Sequence, residues 1–220
     1  MEPLVVLPVF NEEKTIENLI TQLRDGGFNN ILIIDDASDD NTNSVVRRLK
    51  VDVISLPFNM GAWSAIRVGF KYAVDKGYKQ VITMDADGQH IPQEIPKLIN
   101  GSKKGADIVI GSCTKRLNFA KRLCYWIFKT LSGLEIHDFT SGFRLYNNRA
   151  FAKLSAYTGA NLEYQDMGVL IMAKKLGLKM LEVPVEMKKR MYGQSRIFSS
   201  LKAIVRYVLI TFTIIMVKAR

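Results

Sequence analysis

Val81-Ile82-Thr83-Met84-Asp85-Ala86-Asp87-Gly88-Gln89-His90 combines an apolar, β-branched run with two carboxylates one residue apart. Such a run predicts a strand buried in a parallel sheet, with Asp85 and Asp87 directly after its carboxyl end. Open α/β sheets bind ligands in the crevice at that end of their strands. We therefore expect the two acids to face a ligand-binding crevice.

The pair of carboxylates favours a divalent cation in that crevice. Asp85 and Asp87 have no basic residue between them, so both stay ionised side by side only with a cation near them. With Gln89 they form an oxygen-rich set that suits Mg²⁺ or Mn²⁺, whose remaining ligands are usually phosphate oxygens. A solvated acidic turn is the alternative for an isolated Asp-x-Asp, so other motifs have to decide between the two interpretations.

Composition predicts one large domain, or one domain with an appendage. The chain has 220 residues, of which 48% are hydrophobic, and this is enough for a real core. Its two cysteines, Cys113 and Cys124, form neither a disulfide framework nor a zinc-binding pattern and fit a reducing compartment. The sequence passes from Met1-Glu2-Pro3 straight into a predicted strand, so we expect no cleaved signal and no export.

Strand and helix patterns alternate over roughly the first 112 residues. Apolar runs predict strands over residues 4–9, 31–34, 51–56, 81–83 and 107–111. Helical spacing of apolar residues lies between these runs, and Trp63 is expected to pack in the core. The alternation predicts a doubly wound α/β sheet. A Gly-x-Gly-x-x-Gly fingerprint and a Gly-Lys-Ser/Thr loop are both missing, so metal and arginines would have to hold any phosphate.

A second acidic cluster, at residues 35–42, follows the second predicted strand. One of its residues is expected to cap the next helix. Asp36 is placed to accept hydrogen bonds from a ribose hydroxyl or a base edge, as an acid does in dinucleotide-binding folds. Gly61, in the loop after the third strand, either turns the chain or lets the backbone approach a ligand closely.

The net charge of +10 is concentrated in the second half of the chain. Residues 1–102 contain 10 Lys and Arg against 14 Asp and Glu, whereas residues 103–220 contain 21 against 7. This polarity indicates a nucleic acid, an anionic membrane surface or a phosphorylated substrate. The aromatic residues form no obvious stacking platform, so nucleic acid ranks last and we expect no nucleic-acid partner.

Seven motifs, in order along the chain, resemble family 2 glycosyltransferases with the GT-A fold. The most similar branch is the polyprenyl-phosphate, dolichol-phosphate mannose synthase-like one. The motifs are Leu7–Glu12, Ile34–Thr42, Asn59–Gly61, Asp85–His90, Asp138–Arg144, Glu163–Asp166 and Arg190–Arg196. The resemblance implies a Rossmann-like α/β/α sandwich with a mostly parallel central sheet. It further implies a nucleotide-sugar-binding half at residues 1–112 and an acceptor-binding half of the same domain at 113–198. The apolar and basic pattern of residues 199–220 itself predicts a C-terminal amphipathic helix.

The resemblance also implies a donor site at the carboxyl edge of the sheet. The implied donor-binding residues are Pro8, Phe10, Asn11, Glu12, Asp36, Asp85, Ala86, Asp87 and Gln89. Among these, Asp85, Asp87 and Gln89 are the implied ligands of Mg²⁺ or Mn²⁺ on the donor diphosphate. His90 is expected to donate a hydrogen bond beside a metal-binding acid rather than to act directly, and His137 is given no role.

Arginines of the second half are candidates for phosphate binding, because a planar guanidinium binds phosphate oxygens in bidentate fashion. The resemblance assigns Arg144, Arg190 and Arg196 to the acceptor-phosphate site and to catalysis with Asp87. Arg149 and Arg206 are interpreted as surface residues. Two residues depart from the family pattern. Cys113 occupies a position that is often arginine, and Lys115 or Arg116 would take over the phosphate contact of that arginine. Arg196 occupies a position that is more often lysine.

The implied reaction is an inverting, metal-dependent transfer of a hexose from a UDP- or GDP-sugar to a polyprenyl (dolichyl or undecaprenyl) phosphate. A phosphate monoester is already anionic at neutral pH, so this acceptor needs no general base. An alternative acceptor is a hydroxyl of a glycan or lipid-linked sugar, which needs one, and Asp166 is the candidate. An alternative of another class is an inactive sugar-nucleotide-binding subunit that regulates a membrane partner.

Two further segments indicate a membrane surface. Residues 117–134 interleave aromatic and basic residues at helical spacing, which suits either a membrane interface or a core helix with snorkelling cations. In the apolar stretch 201–217 only residues 208–217 are uninterrupted, short of the ~20 residues that span a bilayer. We therefore expect a helix that docks on a membrane or on an integral membrane partner, in a cytoplasmic protein peripherally associated with the cytoplasmic membrane.

Overall fold

A computed structural model describes residues 2–113, 133–157 and 167–188, together with residue 212. Seven strands form one sheet: β1 (Leu4–Val9), β2 (Ile31–Asp35), β3 (Asp52–Ser55), β4 (Gln80–Thr83), β5 (Ile108–Ser112), β6 (Arg144–Asn147) and β7 (Met180–Pro184). The helices are α1 (Ile16–Asp25), α2 (Thr42–Arg48), α3 (Ala62–Asp75), α4 (Ile95–Ser102), α5 (Asn148–Ala156) and α6 (Met167–Lys175), and a 3₁₀ turn at Pro92–Glu94 precedes α4.

The sheet is mostly parallel, as predicted. Its strand order is β3-β2-β1-β4-β6-β5-β7, and every neighbouring pair is parallel except the two pairs that β6 makes with β4 and β5. Because β6 enters the sheet in the opposite direction, its first residue, Arg144, pairs with Thr83 near the end of β4 and with Ile110 near the end of β5. The start of β6 therefore lies at the carboxyl edge.

Apolar side chains bury both faces of the sheet. On β1, Leu4 and Val6 pack on one face against α3, whereas Val5 and Leu7 pack on the other face against α1. Alternate residues of one strand enter different clusters because successive side chains point to opposite faces. Trp63, which is 1% exposed, belongs to the first cluster, so its predicted packing role is confirmed. The result is the α/β/α sandwich expected for a GT-A fold.

The predicted elements of the first half are all present, with small differences at their ends. The third strand is Asp52–Ser55 rather than residues 51–56, and the fifth begins at Ile108. The predicted cap of α2 is made by Asp40, whose Oδ1 accepts a hydrogen bond from the Thr42 amide at 2.9 Å. The residue that immediately precedes the helix, Asn41, makes no side-chain cap.

Several predictions concern residues outside the described ranges. These are the catalytic candidates Asp166, Arg190 and Arg196, the C-terminal helix at 199–220 except for Phe212, and most of the helix predicted at 117–134. At the end of the latter, Gly133 and Leu134 are described and are not helical. Within the described ranges, the helices are all too short or too polar to cross a bilayer.

Candidate active site at the carboxyl edge of the sheet

Three neighbouring parallel strands bring the predicted donor-binding residues to one edge. In the register of the sheet, Val9 of β1 pairs with Asp35 of β2, and Val6 pairs with Thr83 of β4. The loops that follow these strands therefore begin side by side. The Asp36 amide also donates to the Val9 carbonyl at 2.8 Å, which extends the pairing beyond the strands. The edge rule applied to the sequence placed these loops correctly.

Asn11 joins the loop after β1 to the loop after β2. Its backbone has a φ of 59°, and its amide donates to Ser38 Oγ at 3.0 Å. Its side-chain NH₂ group donates to the Asp39 carboxylate, and its side-chain oxygen accepts from the Asp39 backbone amide. The geometry of Asn11 thus serves to hold the two loops together, and the donor contact predicted for it stays a prediction.

Asp40 strengthens the same junction. Its carboxylate accepts hydrogen bonds from the amides of Thr42 at 2.9 Å and Glu13 at 3.3 Å. Burial raises the pKa of Asp40, but the hydrogen bonds from Thr42 and Glu13 outweigh it, so the pKa lies below its ordinary value of 3.8. The carboxylate therefore remains ionised over the physiological range and keeps both loops fixed.

Asp36 connects the end of β2 to the start of α3. It is 2% exposed, and its two carboxylate oxygens accept from the amides of Met60 at 2.7 Å and Gly61 at 2.9 Å. Gly61 precedes α3 with a φ of 86°, which favours glycine. Each carboxylate oxygen has a second lone pair, so the predicted contact of Asp36 with a ribose or base is chemically compatible with these bonds. The Asn59-Met60-Gly61 motif is visible in the sequence, but the sequence did not reveal that Asp36 binds its amides.

The remaining donor candidates of β1 are half-buried at the same edge: Pro8, Phe10 and Glu12. Glu12 is held in place at both ends, because its amide donates to Thr42 Oγ1 at 2.9 Å and its carboxylate accepts from Thr15 Oγ1 at 2.9 Å. These two hydrogen bonds hold Glu12 at the edge where the nucleoside pocket is predicted.

The turn after β4 presents its two acids differently. The Asp85 side chain is 43% exposed, whereas Asp87 is 4% exposed. Asp87 Oδ1 accepts from the Gln89 amide at 3.0 Å, across Gly88, which has a φ of 78°. Ala86 between the acids is buried with a relative exposure of 3%. The turn is thus fixed from inside by Asp87, while Asp85 reaches the open edge.

The donor set of this turn suits a hard divalent cation. Asp85, Asp87 and Gln89 offer carboxylate and amide oxygens, the ligand type that Mg²⁺ and Mn²⁺ prefer. In residues 2–113, 133–157 and 167–188, no group of three or more His, Cys, Asp or Glu side chains could hold a metal ion. Three protein oxygens leave about half of an octahedral shell to phosphate oxygens and water. The turn therefore fits a metal that arrives with a diphosphate.

Gly142 lies against the Asp85 carboxylate. A Cβ on Gly142 would come within 2.5 Å of Asp85 Oδ1, a distance that side chains do not tolerate. Its carbonyl accepts a 2.7 Å hydrogen bond from Thr83 Oγ1 at the end of β4. Glycine at position 142 allows the backbone to approach the Asp85 carboxylate closely. The small residues before Arg144 were the only sign of this contact in the sequence.

Arg144 is a buried cation beside this contact. It is 0% exposed, and its Nη2 donates to the Phe139 carbonyl at 2.8 Å. Its Nε and Nη1 are buried and, within the described part of the chain, have no hydrogen-bond partner. A buried guanidinium with two unsatisfied nitrogens is costly and marks a candidate functional residue. Its predicted role towards phosphate stays a prediction.

The loop that leads to Arg144 is anchored to β5 and β7. Glu182 of β7 accepts from the amides of His137 at 2.9 Å and Asp138 at 2.7 Å. Asp138 is 0% exposed and accepts in turn from the Cys113 amide at 3.1 Å. Cys113, which replaces an expected arginine, thus contributes its backbone to this anchor. Sequence reasoning missed Glu182, because no strand was predicted around it.

The segment after β7 returns to the acidic turn. The Lys188 amide donates to the Gln89 carbonyl at 2.9 Å, and Met187 forms an isolated bridge with His90. Arg190 follows Lys188 by two residues, outside the described ranges. Asp166, also outside them, immediately precedes Met167, the buried first residue of α6.

A family model for "Glycosyl transferase family 2" matches residues 4–155. The chain is 31% identical, over 87% of its length and 88% of the relative's, to UDP-N-acetylglucosamine–dolichyl-phosphate N-acetylglucosaminyltransferase of Methanococcus voltae. It is 29% identical, over 90% of its length and 81% of the relative's, to polyprenol monophosphomannose synthase of Mycolicibacterium smegmatis.

Solved structures confirm the GT-A-like fold. Glucosyl-3-phosphoglycerate synthase of Mycobacterium tuberculosis, with phosphoglyceric acid, matches with a TM-score of 0.73 at 19% identity, over 97% of this chain and 78% of that one. The same enzyme with Mn²⁺, uridine diphosphate and glucosyl-3-phosphoglycerate matches with a TM-score of 0.68 at 19% identity, over 94% of this chain and 77% of that one. At this identity the likeness establishes the fold alone.

Proposed function

The chain belongs to glycosyl transferase family 2, and from that premise we propose that it transfers a hexose from a UDP- or GDP-sugar to a polyprenyl phosphate. The observation that carries the proposal is the acidic turn at residues 85–89, which lies at the same sheet edge as the loops after β1 and β2. The names of two relatives, a dolichyl-phosphate and a polyprenol transferase, support the choice of acceptor.

The donor would lie across the three loops. Pro8, Phe10 and Asp36 would contact the nucleoside, and Asp85, Asp87 and Gln89 would hold Mg²⁺ or Mn²⁺. When bound, the cation supplies positive charge to the diphosphate that leaves the sugar. The hydrogen bond from the Gln89 amide to Asp87 keeps that carboxylate oriented. Glucosyl-3-phosphoglycerate synthase of Mycobacterium tuberculosis, which shares the fold, was solved with Mn²⁺ and uridine diphosphate, and the proposal of a divalent cation takes support from it.

The acceptor would approach from the opposite face of the sugar and invert its configuration. Its phosphate carries its own negative charge at neutral pH and attacks the anomeric carbon without a general base. Arg144, Arg190 and Arg196 are the proposed cationic groups on that side, since guanidinium groups bind phosphate oxygens well. Asp166 becomes necessary as a base only if the acceptor is a hydroxyl.

The reaction would take place at a membrane surface, because a polyprenyl phosphate is held in a bilayer by its lipid chain. The positive charge of residues 103–220 favours an anionic surface. We propose that residues 103–220 as a whole are attracted to the anionic surface. The two segments predicted to touch the membrane, 117–134 and 201–217, lie within this range.

The test is nucleoside diphosphate release from a panel of UDP- and GDP-sugars. Each donor is incubated with Mn²⁺ or Mg²⁺, with and without undecaprenyl phosphate in detergent. We expect one donor to be consumed only when lipid phosphate and metal are both present, and chelator to stop the reaction. Asp87→Asn should abolish release, whereas Asp75→Asn, at an exposed acid at the far end of α3, should leave it unchanged.

Two results would contradict the proposal. Release that depends on a sugar hydroxyl acceptor and on Asp166 would move the acceptor assignment to a glycan. Tight donor binding with no turnover on any acceptor would indicate a sugar-nucleotide-binding subunit without activity of its own.

A further inference from the structure

His90 directly follows the acidic turn at residues 85–89, and the proposed function gives it no task. Its side chain is only 2% exposed. It nevertheless contacts Asp85 through both ring nitrogens.

The first contact fixes the protonation pattern of the ring. The Asp85 amide donates to His90 Nδ1 at 2.9 Å. A ring nitrogen that accepts a hydrogen bond carries no proton, so the single ring proton of this neutral tautomer lies on Nε2. The backbone of Asp85 thereby selects which nitrogen of His90 can donate.

The second contact directs that proton towards the acid. Nε2 lies 3.7 Å from Asp85 Oδ2, beyond hydrogen-bond distance but close enough for electrostatic attraction. The same carboxylate lies against Gly142, where an added Cβ would come within 2.5 Å of Oδ1 and 2.6 Å of Oδ2. The Asp85 carboxylate therefore has the His90 ring and the Gly142 backbone as neighbours, while 43% of its side chain stays exposed.

The ring of His90 is itself held in place. It stacks on Phe143, with ring centroids 5.3 Å apart and planes inclined by 23°, and Phe143 is 0% exposed. The His90 backbone forms a bridge with Met187. Rotation of the ring would break the contact with the Asp85 amide and the stacking on Phe143 together.

We propose that His90 is a positioning residue that holds Asp85, through its amide and its carboxylate, in the orientation needed to bind a divalent cation. The inference rests on the proposed function, because it presumes that Asp85 binds metal. It assigns His90 no contact with metal or substrate.

Three variants separate the polar contacts from the packing. His90→Asn retains an acceptor near the Nδ1 position, His90→Gln retains a donor near the Nε2 position, and His90→Phe retains only the ring that stacks on Phe143. His137→Phe is the matched control, because its ring is 62% exposed and bonded to Glu182 rather than to the acidic turn. The readout is Mn²⁺ affinity, measured by electron paramagnetic resonance with and without UDP or GDP, next to the thermal midpoint of unfolding.

We expect His90→Phe to weaken Mn²⁺ binding by about ten-fold or more, the range found when the orienting partner of a metal ligand is removed. The thermal midpoint should fall little, and His90→Asn or His90→Gln should recover part of the affinity. Turnover of His90→Phe should rise towards the wild-type value at high Mn²⁺ concentration, since a ligand is misplaced rather than lost.

Two results overturn the inference. Unchanged Mn²⁺ affinity in His90→Phe shows that the ring does not position Asp85, while the proposed function stands if the wild type still binds Mn²⁺ through Asp87. Wild-type protein that binds no Mn²⁺ with UDP or GDP overturns the metal site and the role of His90 together.

Discussion

The carboxylate of Asp85 lies so close to Gly142 that a single added methyl group would come within 2.5 Å of its Oδ1. The two residues belong to different parts of the sequence, one at the end of β4 and the other just before β6. Since β6 runs between β4 and β5, the second half of the chain supplies a wall for an acid of the first half. The site is therefore assembled across the sheet and does not belong to one loop.

Gly142→Ala should displace the Asp85 carboxylate and weaken Mn²⁺ binding by about ten-fold or more, comparable to loss of an orienting partner. Donor turnover at low metal concentration should fall with it. Gly26→Ala is the matched control, because its added Cβ would meet its neighbours at 3.4 Å, an ordinary contact, and its φ of −78° suits alanine. Equal Mn²⁺ affinity in both variants would contradict this prediction, because it would show that metal binding does not depend on the position of the Asp85 carboxylate.

Asp36→Asn should destabilise the junction between β2 and α3. One of the two Asp36 oxygens becomes an NH₂ group that meets the amide of either Met60 or Gly61, so a buried donor loses its acceptor. We expect a loss of about 1–3 kcal/mol in the free energy of unfolding, measured by urea denaturation. The KM for the donor should also rise. Asp25→Asn, at an exposed acid at the end of α1, should change neither quantity.

Asp107 makes a testable contribution to stability at the other edge of the sheet. Its carboxylate accepts from the Lys179 amide at 2.8 Å, the Asn147 side chain at 2.9 Å and Arg149 Nη1 at 2.9 Å. Burial raises the pKa of Asp107, but these hydrogen bonds and the charge of Arg149 outweigh it, so the pKa lies below its ordinary value of 3.8.

A carboxyl whose pKa is lowered by folding stabilises the protein above the pKa of the unfolded chain, and this stability is lost as pH falls through the folded pKa. The Asp107 contribution should therefore be complete at pH 7, begin to decline near about pH 4, and be lost as the pH falls through the folded pKa, which lies below 3.8. Asp107→Asn should lower the free energy of unfolding by about 1–3 kcal/mol at pH 7 and make it less dependent on pH between about 5 and 2. Parallel pH profiles for wild type and variant would contradict this prediction.

The sequence predicted the sheet and the placement of its acids because both follow from local patterns. An unbroken apolar run such as Leu4–Val9 indicates a strand buried on both faces, and the edge rule then places Asp36 and Asp85 together. It did not predict that β6 pairs between β4 and β5, which depends on contacts between distant segments. For the same reason the contacts of Gly142 with Asp85, Asp36 with Gly61 and Glu182 with Asp138 emerged only from the structure.

Arg144 and Arg149, five residues apart, offer a direct separation of function from stability. Arg149, interpreted from sequence as a surface residue, is 49% exposed in its side chain and pairs with Asp107 at 2.9 Å. Arg144 is 0% exposed and has two buried nitrogens that lack partners within the described residues. A buried cation without a carboxylate is a cost to folding, which a chain retains where the cation has another use.

Arg144→Met should therefore change the free energy of unfolding by less than about 1 kcal/mol or increase it, because the lost bond to the Phe139 carbonyl is offset by removal of a desolvated charge. Sugar transfer should nevertheless fall by two orders of magnitude or more, as removal of one electrostatic contact to a reacting group does. Arg149→Met should show the reverse pattern, with reduced stability and unchanged transfer. Urea denaturation and donor turnover of both variants test the pair. If Arg144→Met loses stability and activity in proportion, the guanidinium is a structural element of the core, and the acceptor site has to be built from the other arginines.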